Sequence, residues 1–215
     1  MVRIICIVIG YLFGNFQTGY LYGKMQNVDI RTMGSGNAGT TNALRTLGKK
    51  AGAITFLGDA FKCIFAVLLV RFIFKESHAD MLPMLAMYTG LGTVLGHNYP
   101  FYLNFKGGKG IAVTAGLLAS TTNLPMTLIC LFAFIAAVGI TKYVSVGSLV
   151  VVTIYMLEIV IYGQMGGFGI EQAYLYEMYG VAVFLLISAV IRHRANIKRL
   201  MNGTENKLSV GKSKK

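Results

Sequence analysis

Apolar stretches long enough to cross a lipid bilayer recur along almost the whole chain, and they limit its possible folds more than any other feature. A bilayer-spanning helix needs about 20 mostly apolar residues. Seven segments approach that length, at 2–23, 51–74, 82–98, 110–122, 124–142, 145–163 and 173–192. The third and fourth are the weakest, because Gly, Thr, His and Asn interrupt them. Charged residues make up 13% of the chain, against about 25% in soluble domains. The apolar runs are too long and too many for the core of one small soluble α/β domain. The first run continues from Ile4 past Gly19 with no small-residue cleavage site, so it reads as a retained membrane helix and not a signal peptide. The expectation is an all-α polytopic membrane protein. One domain covers 1–200, and a basic, flexible tail covers 201–215.

The net charge of +12 sits mostly between these segments. With seven crossings, one side collects Lys24, Arg31, Arg45, Lys49, Lys50, Lys106, Lys109 and Lys142, followed by Arg192, Arg194, Lys198, Arg199, Lys207, Lys212, Lys214 and Lys215. The other side holds only Arg3, Arg71 and Lys75, while Lys62 lies within the second segment. The positive-inside rule then places the N-terminus outside and the C-terminus in the cytoplasm. Anionic lipid and phosphorylated ligands are the partners such charge suggests. The interleaving of basic and aromatic residues typical of RNA binding is absent, which argues against nucleic acid. Cys6, Cys63 and Cys130 are far apart within apolar runs and read as small buried residues without metal spacing.

Three regions on the basic side carry polar chemistry. The first, Met33 to Gly52, reads MGSGNAGTTNALRTLGKKAG. Gly34, Gly36 and Gly39 let backbone approach a ligand, and Ser35, Asn37, Thr40, Thr41 and Asn42 supply hydroxyls and amides. Arg45 adds a planar cationic fork suited to phosphate. Helix propensity rises after Thr41, so a helix N-terminus is expected to point at the same spot. The three glycines match G-x-G-x-x-G, and Asp59 follows Gly39 by twenty residues. A membrane helix precedes them instead of the β-strand that a dinucleotide fingerprint needs, so that reading fails.

The second region, Gly96 to Gly116, reads GHNYPFYLNFKGGKGIAVTAG. Lys106 and Lys109 flank Gly107 and Gly108, and Gly110 follows. Exposed backbone amides beside ammonium groups would make an anion cradle. The Walker A spacing is absent. His97 stands at the end of the third segment. The third region joins YVSVGS, where Ser145 and Ser148 read as helix caps, to the end of the last segment, IRHRANIKRL. There His193 and Asn196 share a helix face, while the surrounding basic residues are accounted for by the positive-inside signal. Within the apolar segments, Asp59 and Lys62 are spaced to pair on one helix. Glu158 lacks a partner nearby in sequence.

Together, GSGNAGTTNALRTLGKKAG, GHNYPFYLNFKGGKGIA, YVSVGS and HRANIKRL with the following GTE resemble the bacterial acyl-phosphate:glycerol-3-phosphate 1-acyltransferase family over nearly the whole chain. The resemblance implies a seven-helix, multi-pass enzyme of the bacterial plasma (inner) membrane with its active site on the cytoplasmic side. It would move a fatty acyl group from acyl phosphate to the 1-hydroxyl of glycerol 3-phosphate, giving lysophosphatidic acid and phosphate for phospholipid synthesis. It implies no metal or other cofactor and no use of acyl-CoA. Consistent with this, His78, His97 and His193 all lack the Asp five residues later that marks acyl-CoA-type acyltransferases.

Carried over by position, Ser35, Arg45, His193 and Asn196 are the implied catalytic set. Arg45 and Lys109 would hold phosphate, Ser35 and Asn196 would orient substrate oxygens, and His193 or the acyl phosphate would accept the hydroxyl proton. Gly34, Gly36, Asn37, Thr41, Asn42, His97, Lys106, Gly107, Gly108 and Gly110 complete the expected substrate contacts. Asp59, Lys62 and Glu205 are expected to be structural. The chain departs from the family pattern at Ala38, Thr40, Cys63, Val113 and Ala195, none of them in the catalytic set. Two other readings use the same residues: acylation of a different phosphorylated or polyol acceptor, and transport of a phosphorylated solute. A transporter should present polar groups from both sides at mid-membrane, often through inverted repeats. Here they crowd one face and no repeat is visible.

Overall fold

The computed structural model describes residues 1–208. Lys212, Lys214 and Lys215, with the end of the expected tail, lie outside the described residues. Every regular element among the described residues is helical. The chain runs through α1 (Val2–Asn15), α2 (Thr18–Met25), α3 (Thr40–Leu47), α4 (Lys49–Phe74), α5 (Leu82–Asn98), α6 (Ile111–Thr121), α7 (Leu124–Thr141), α8 (Val144–Gln164), α9 (Gln172–Arg192) and α10 (Arg194–Met201). Five stretches are long and apolar enough to cross a membrane: Val2–Met25, Lys49–Phe74, Leu124–Thr141, Val144–Gln164 and Gln172–Arg192. The other two expected segments form shorter helices. α5 has 17 residues and α6 has 11. At 1.5 Å per residue, α6 is about 17 Å long, little more than half of a hydrocarbon core of about 30 Å.

The Gly and Thr residues that weaken α5 as an apolar run are what allow it to pack. α1 lies along α5 at a distance only small residues permit. A Cβ added at Gly10 or Gly14 would overlap the Thr89 or Thr93 carbonyl, and one at Gly92 or Gly96 would overlap that of Ile7 or Tyr11. In lipid, such close backbone approach replaces the hydrophobic drive that binds helices in water. Around this pair, α4, α6, α8 and α9 bury a continuous apolar core that includes Val67, Met84, Leu85, Leu117, Tyr155, Ile159 and Met178. Cys6, Cys63 and Cys130 are buried free thiols. Large apolar side chains such as Phe65, Phe72, Phe132 and Ile187 face outward, as a lipid environment requires.

The first expected span is not one helix. It breaks at Phe16–Gln17, where Phe16 is extended at φ −66° and ψ 105°. Broken backbone at membrane depth persists only if its freed polar groups find partners inside the protein. Here Lys62 of α4 donates to the Gly14 and Phe16 carbonyls, and the Gln17 amide donates to the Gly14 carbonyl at 3.1 Å.

At one end of the bundle, Arg3 of α1 pairs with Glu177 of α9 at 2.6 Å, and Tyr88 of α5 donates to the same carboxylate. At the opposite end, the polar loops converge with the starts of α4, α6 and α8 and the ends of α5, α7 and α9. Glu158 meets Cys130 of α7 at 3.2 Å, so its partner comes from the neighbouring helix.

Candidate functional site

The first loop is organised by Asn42, the third residue of α3. Its amide donates to the Ile30 and Met33 carbonyls, both at 3.0 Å, and its side-chain oxygen accepts the Ser35 N–H at 2.8 Å. A buried polar side chain that satisfies three backbone groups fixes a loop which has no ladder of its own. α3 begins at Thr40 after Gly39, so the expected helix N-terminus is present. Gly34 and Gly36 take positive φ, 57° and 68°, as turns before that helix require.

The second loop is tied to the end of α5. The Gly107 and Gly108 amides donate to the Asn98 and His97 carbonyls at 3.2 and 3.1 Å. These two amides are therefore committed within the fold, unlike the exposed cradle expected from the sequence. Gly108 is needed for a different reason: a Cβ there would overlap the His97 ring.

His97 itself belongs to a buried polar cluster. Lys62 bridges Asp59 and His97 Nδ1, both at 2.9 Å, and Thr18 donates to the same Asp59 oxygen at 3.1 Å. An ammonium group has no lone pair, so Nδ1 must accept and Nε2 carries the hydrogen. Asp59 and Lys62 thus pair as their spacing suggested, and together they hold the second loop through His97.

The third region closes the site. Lys109 donates to Asn196 Oδ1, and Asn196 Nδ2 donates to Glu205 at 2.7 Å. Glu205 also accepts from Arg199 at 2.7 Å and from Ser145 at 3.3 Å. Ser145 therefore reaches Glu205, while Ser148 bonds the Val144 carbonyl; neither caps α8. Residues 202–208, the start of the tail expected to be flexible, fold back over the loops. Glu205 is buried, the Asn206 carbonyl accepts from Arg45 at 3.1 Å, and the Leu208 N–H donates to the Lys142 carbonyl at 2.7 Å.

His193 Nδ1 lies 2.8 Å from the Ala189 carbonyl. A carbonyl only accepts, so Nδ1 carries the hydrogen and Nε2 keeps its lone pair. Burial, reinforced by the Lys109 charge, lowers the His193 imidazole to about 4. Burial also lowers the Lys109 ammonium to about 8; Glu205 acts against this, while Arg199, Arg192 and Arg45 act with it. Burial pushes the Glu205 carboxyl up, but bonds from Asn196 and Arg199 outweigh it and leave it below the usual range.

These groups surround a cavity of about 320 Å³. Ser35, Asn37, Thr41, Asn42 and Arg45 line it from the first loop and α3. His97, Lys109 and Gly110 line it from the second region, and His193, Asn196 and Glu205 from the third. Gly107, Gly108 and Lys62 are buried outside this lining, and Gly34, Gly36 and Lys106 are exposed. Asp59 also borders the cavity, and its second oxygen is buried without a hydrogen-bond partner among the described residues.

Several lining residues carried no distinct signal. Ser145 and Ser148 looked like cap residues, and Arg199 looked like one more positive-inside charge. Leu44, Phe56, Ile111, Phe134 and Val138 form an apolar wall beside the polar groups. Nothing separates them in sequence from other membrane-facing side chains.

Residues 4–203 match the glycerol-3-phosphate acyltransferase family. The glycerol-3-phosphate acyltransferase of Clostridioides difficile is 46% identical over 207 residues, covering 95% of each chain. That of Alkaliphilus metalliredigens is 38% identical over 216 residues, covering 97% of each. Among solved structures, the fold is similar to PlsY, an integral membrane glycerol 3-phosphate acyltransferase. The TM-score to its glycerol 3-phosphate form is 0.83 at 30% identity, covering 97% of this chain and 96% of that one. Its lysophosphatidic acid form gives 0.81 at 29% identity, covering 98% and 97%. A match over this much of the chain, to a membrane protein of the same fold, establishes that the chain belongs to the glycerol-3-phosphate acyltransferase family.

Proposed function

We propose that this protein transfers a fatty acyl group from acyl phosphate to the 1-hydroxyl of glycerol 3-phosphate, releasing lysophosphatidic acid and inorganic phosphate. The observation that carries this reading is the make-up of the cavity. Two cations, Arg45 and Lys109, and the His193 imidazole share one space with the apolar wall of Phe56, Phe134 and Val138. Such a site fits an amphiphile with an anionic head beside a second, small anion.

Acyl phosphate is already activated, so the protein mainly has to position the partners and stabilise charge. Lys109, held by Asn196, is assigned to the phosphate of glycerol 3-phosphate, and Arg45 with Ser35 to that of the donor. The 1-hydroxyl oxygen attacks the acyl carbonyl carbon, and the bond from that carbon to the phosphate oxygen breaks. His193 Nε2 accepts a hydrogen bond from the hydroxyl and orients it. A imidazole lowered to about 4 holds a proton weakly at neutral pH, so the proton ends on the departing phosphate, the stronger base.

The same reading places seven crossings in the bacterial inner membrane, with the N-terminus outside and the cavity on the cytoplasmic side. Two things support it: the one-sided distribution of Lys and Arg, and the meeting of alternate helix ends at the cavity. The test is turnover by purified protein given acyl phosphate and glycerol 3-phosphate, followed by phosphate release and lysophosphatidic acid formation. Folded protein without turnover would remove the acyl phosphate assignment. Ser35→Ala, Arg45→Ala and His193→Ala are each expected to lower kcat/KM at least about a hundredfold while the fold persists.

A further inference from the structure

Arg192 is the last residue of α9, directly before His193. Its charge is accounted for by the positive-inside pattern, but its geometry is more specific. One guanidinium nitrogen donates to the Gly107 carbonyl at 3.0 Å and to the Gly108 carbonyl at 2.6 Å. The guanidinium lies 5.1 Å from the centre of the Tyr99 ring, in the segment that leads into this loop. Among the described residues its Nε is buried without a hydrogen-bond partner. A cationic donor on two consecutive carbonyls is among the stronger neutral-to-charged hydrogen-bond arrangements, and a planar guanidinium suits both those carbonyls and the aromatic face.

We infer that Arg192 is a positioning residue that locks the Gly107–Gly108 backbone to the end of α9, so that Lys109 and His193 are carried as one rigid unit. The inference rests on the reading of Lys109 as the glycerol 3-phosphate ligand. Without the clamp, the Gly107–Gly108 backbone keeps its amide bonds to the Asn98 and His97 carbonyls and Lys109 keeps its bond to Asn196, but the loop loses its tie to α9. The backbone that carries Lys109 is then less firmly placed against His193, and part of the binding energy of the acceptor is spent on fixing it, which weakens acceptor binding. The donor side of the cavity, built from Ser35 and Arg45, is untouched.

The test compares wild type with Arg192→Gln and Arg192→Lys. Arg192→Gln is expected to raise the KM for glycerol 3-phosphate about tenfold or more, with the KM for acyl phosphate changed less than about twofold. Arg192→Lys, which keeps the charge and a donor but not the planar fork, should fall between the two. Amide exchange gives an independent reading on purified protein without substrate. Peptides covering 105–110 should lose protection in Arg192→Gln, while peptides from the middle of α5 keep theirs. Unchanged KM for glycerol 3-phosphate, an equal rise in both KM values, or unchanged exchange at 105–110 would each overturn the proposal. If the wild type fails to use glycerol 3-phosphate at all, the functional reading fails. The exchange comparison still decides whether Arg192 holds the loop.

Discussion

Gly108 shows how a single residue acts through a neighbour. Its amide is committed to the His97 carbonyl and its missing side chain makes room for the His97 ring. Gly108→Ala forces one of them to move and displaces Lys109. The expected outcome is a raised KM for glycerol 3-phosphate with kcat little changed; a pure kcat effect in steady-state assays would contradict a binding role. Lys109 supplies a pH prediction. Its ammonium is lowered to about 8, and phosphate binding favours the charged form. Affinity for glycerol 3-phosphate should therefore hold between about pH 6, above which the phosphate carries its second charge, and about pH 8, and fall as pH rises through 8 by up to about tenfold per unit. A KM profile flat to pH 10 would argue against Lys109 as the phosphate ligand. The residue types in these loops already suggested anion binding. Which backbone amides remained free did not follow from them, because that depends on where the α5 carbonyls lie.

Among the elements, the broken α1–α2 span and α4 depend on each other. Lys62 satisfies two carbonyls at the break, pairs with Asp59 and holds His97. Lys62→Met would leave a buried carboxylate without its cation and the Phe16 carbonyl without its donor, while Gln17 still serves the Gly14 carbonyl, a loss of about 3–5 kcal/mol. Asp59→Asn should cost less, since Asn keeps an acceptor for Lys62 and Thr18. Thermal unfolding in detergent checks the order; a Lys62→Met protein as stable as wild type would show that the break does not need this partner. The Asp59–Lys62 pair was legible from a spacing of three on one helix. The break was not, because the run from Ile4 past Gly19 is apolar enough for a continuous helix, and its interruption is compensated by a residue more than forty positions away.

The whole molecule gathers its polar loops at one end and leaves Arg3, Tyr88 and Glu177 at the other. The proposed orientation predicts which end faces the cytoplasm. The native cysteines are buried, so an added surface thiol reports its own position. In intact cells, Ser77→Cys should react with a membrane-impermeant maleimide, and Lys24→Cys should react only after the membrane is opened. The reverse pattern would invert the topology. By itself the sequence determined the helical membrane class, the positions of most apolar helices and the concentration of basic loops on one side. These follow from sums over neighbouring residues, and hydropathy and charge are such sums. Only the tertiary structure decided that the Gly107 and Gly108 amides are occupied, that Arg192 holds their carbonyls, and that residues 202–208 return to cover Arg45. Those outcomes depend on which hydrogen-bonding atoms meet, across the turn from His97 to Gly108 or across segments 84 or more residues apart, and sums of hydropathy and charge carry no such information.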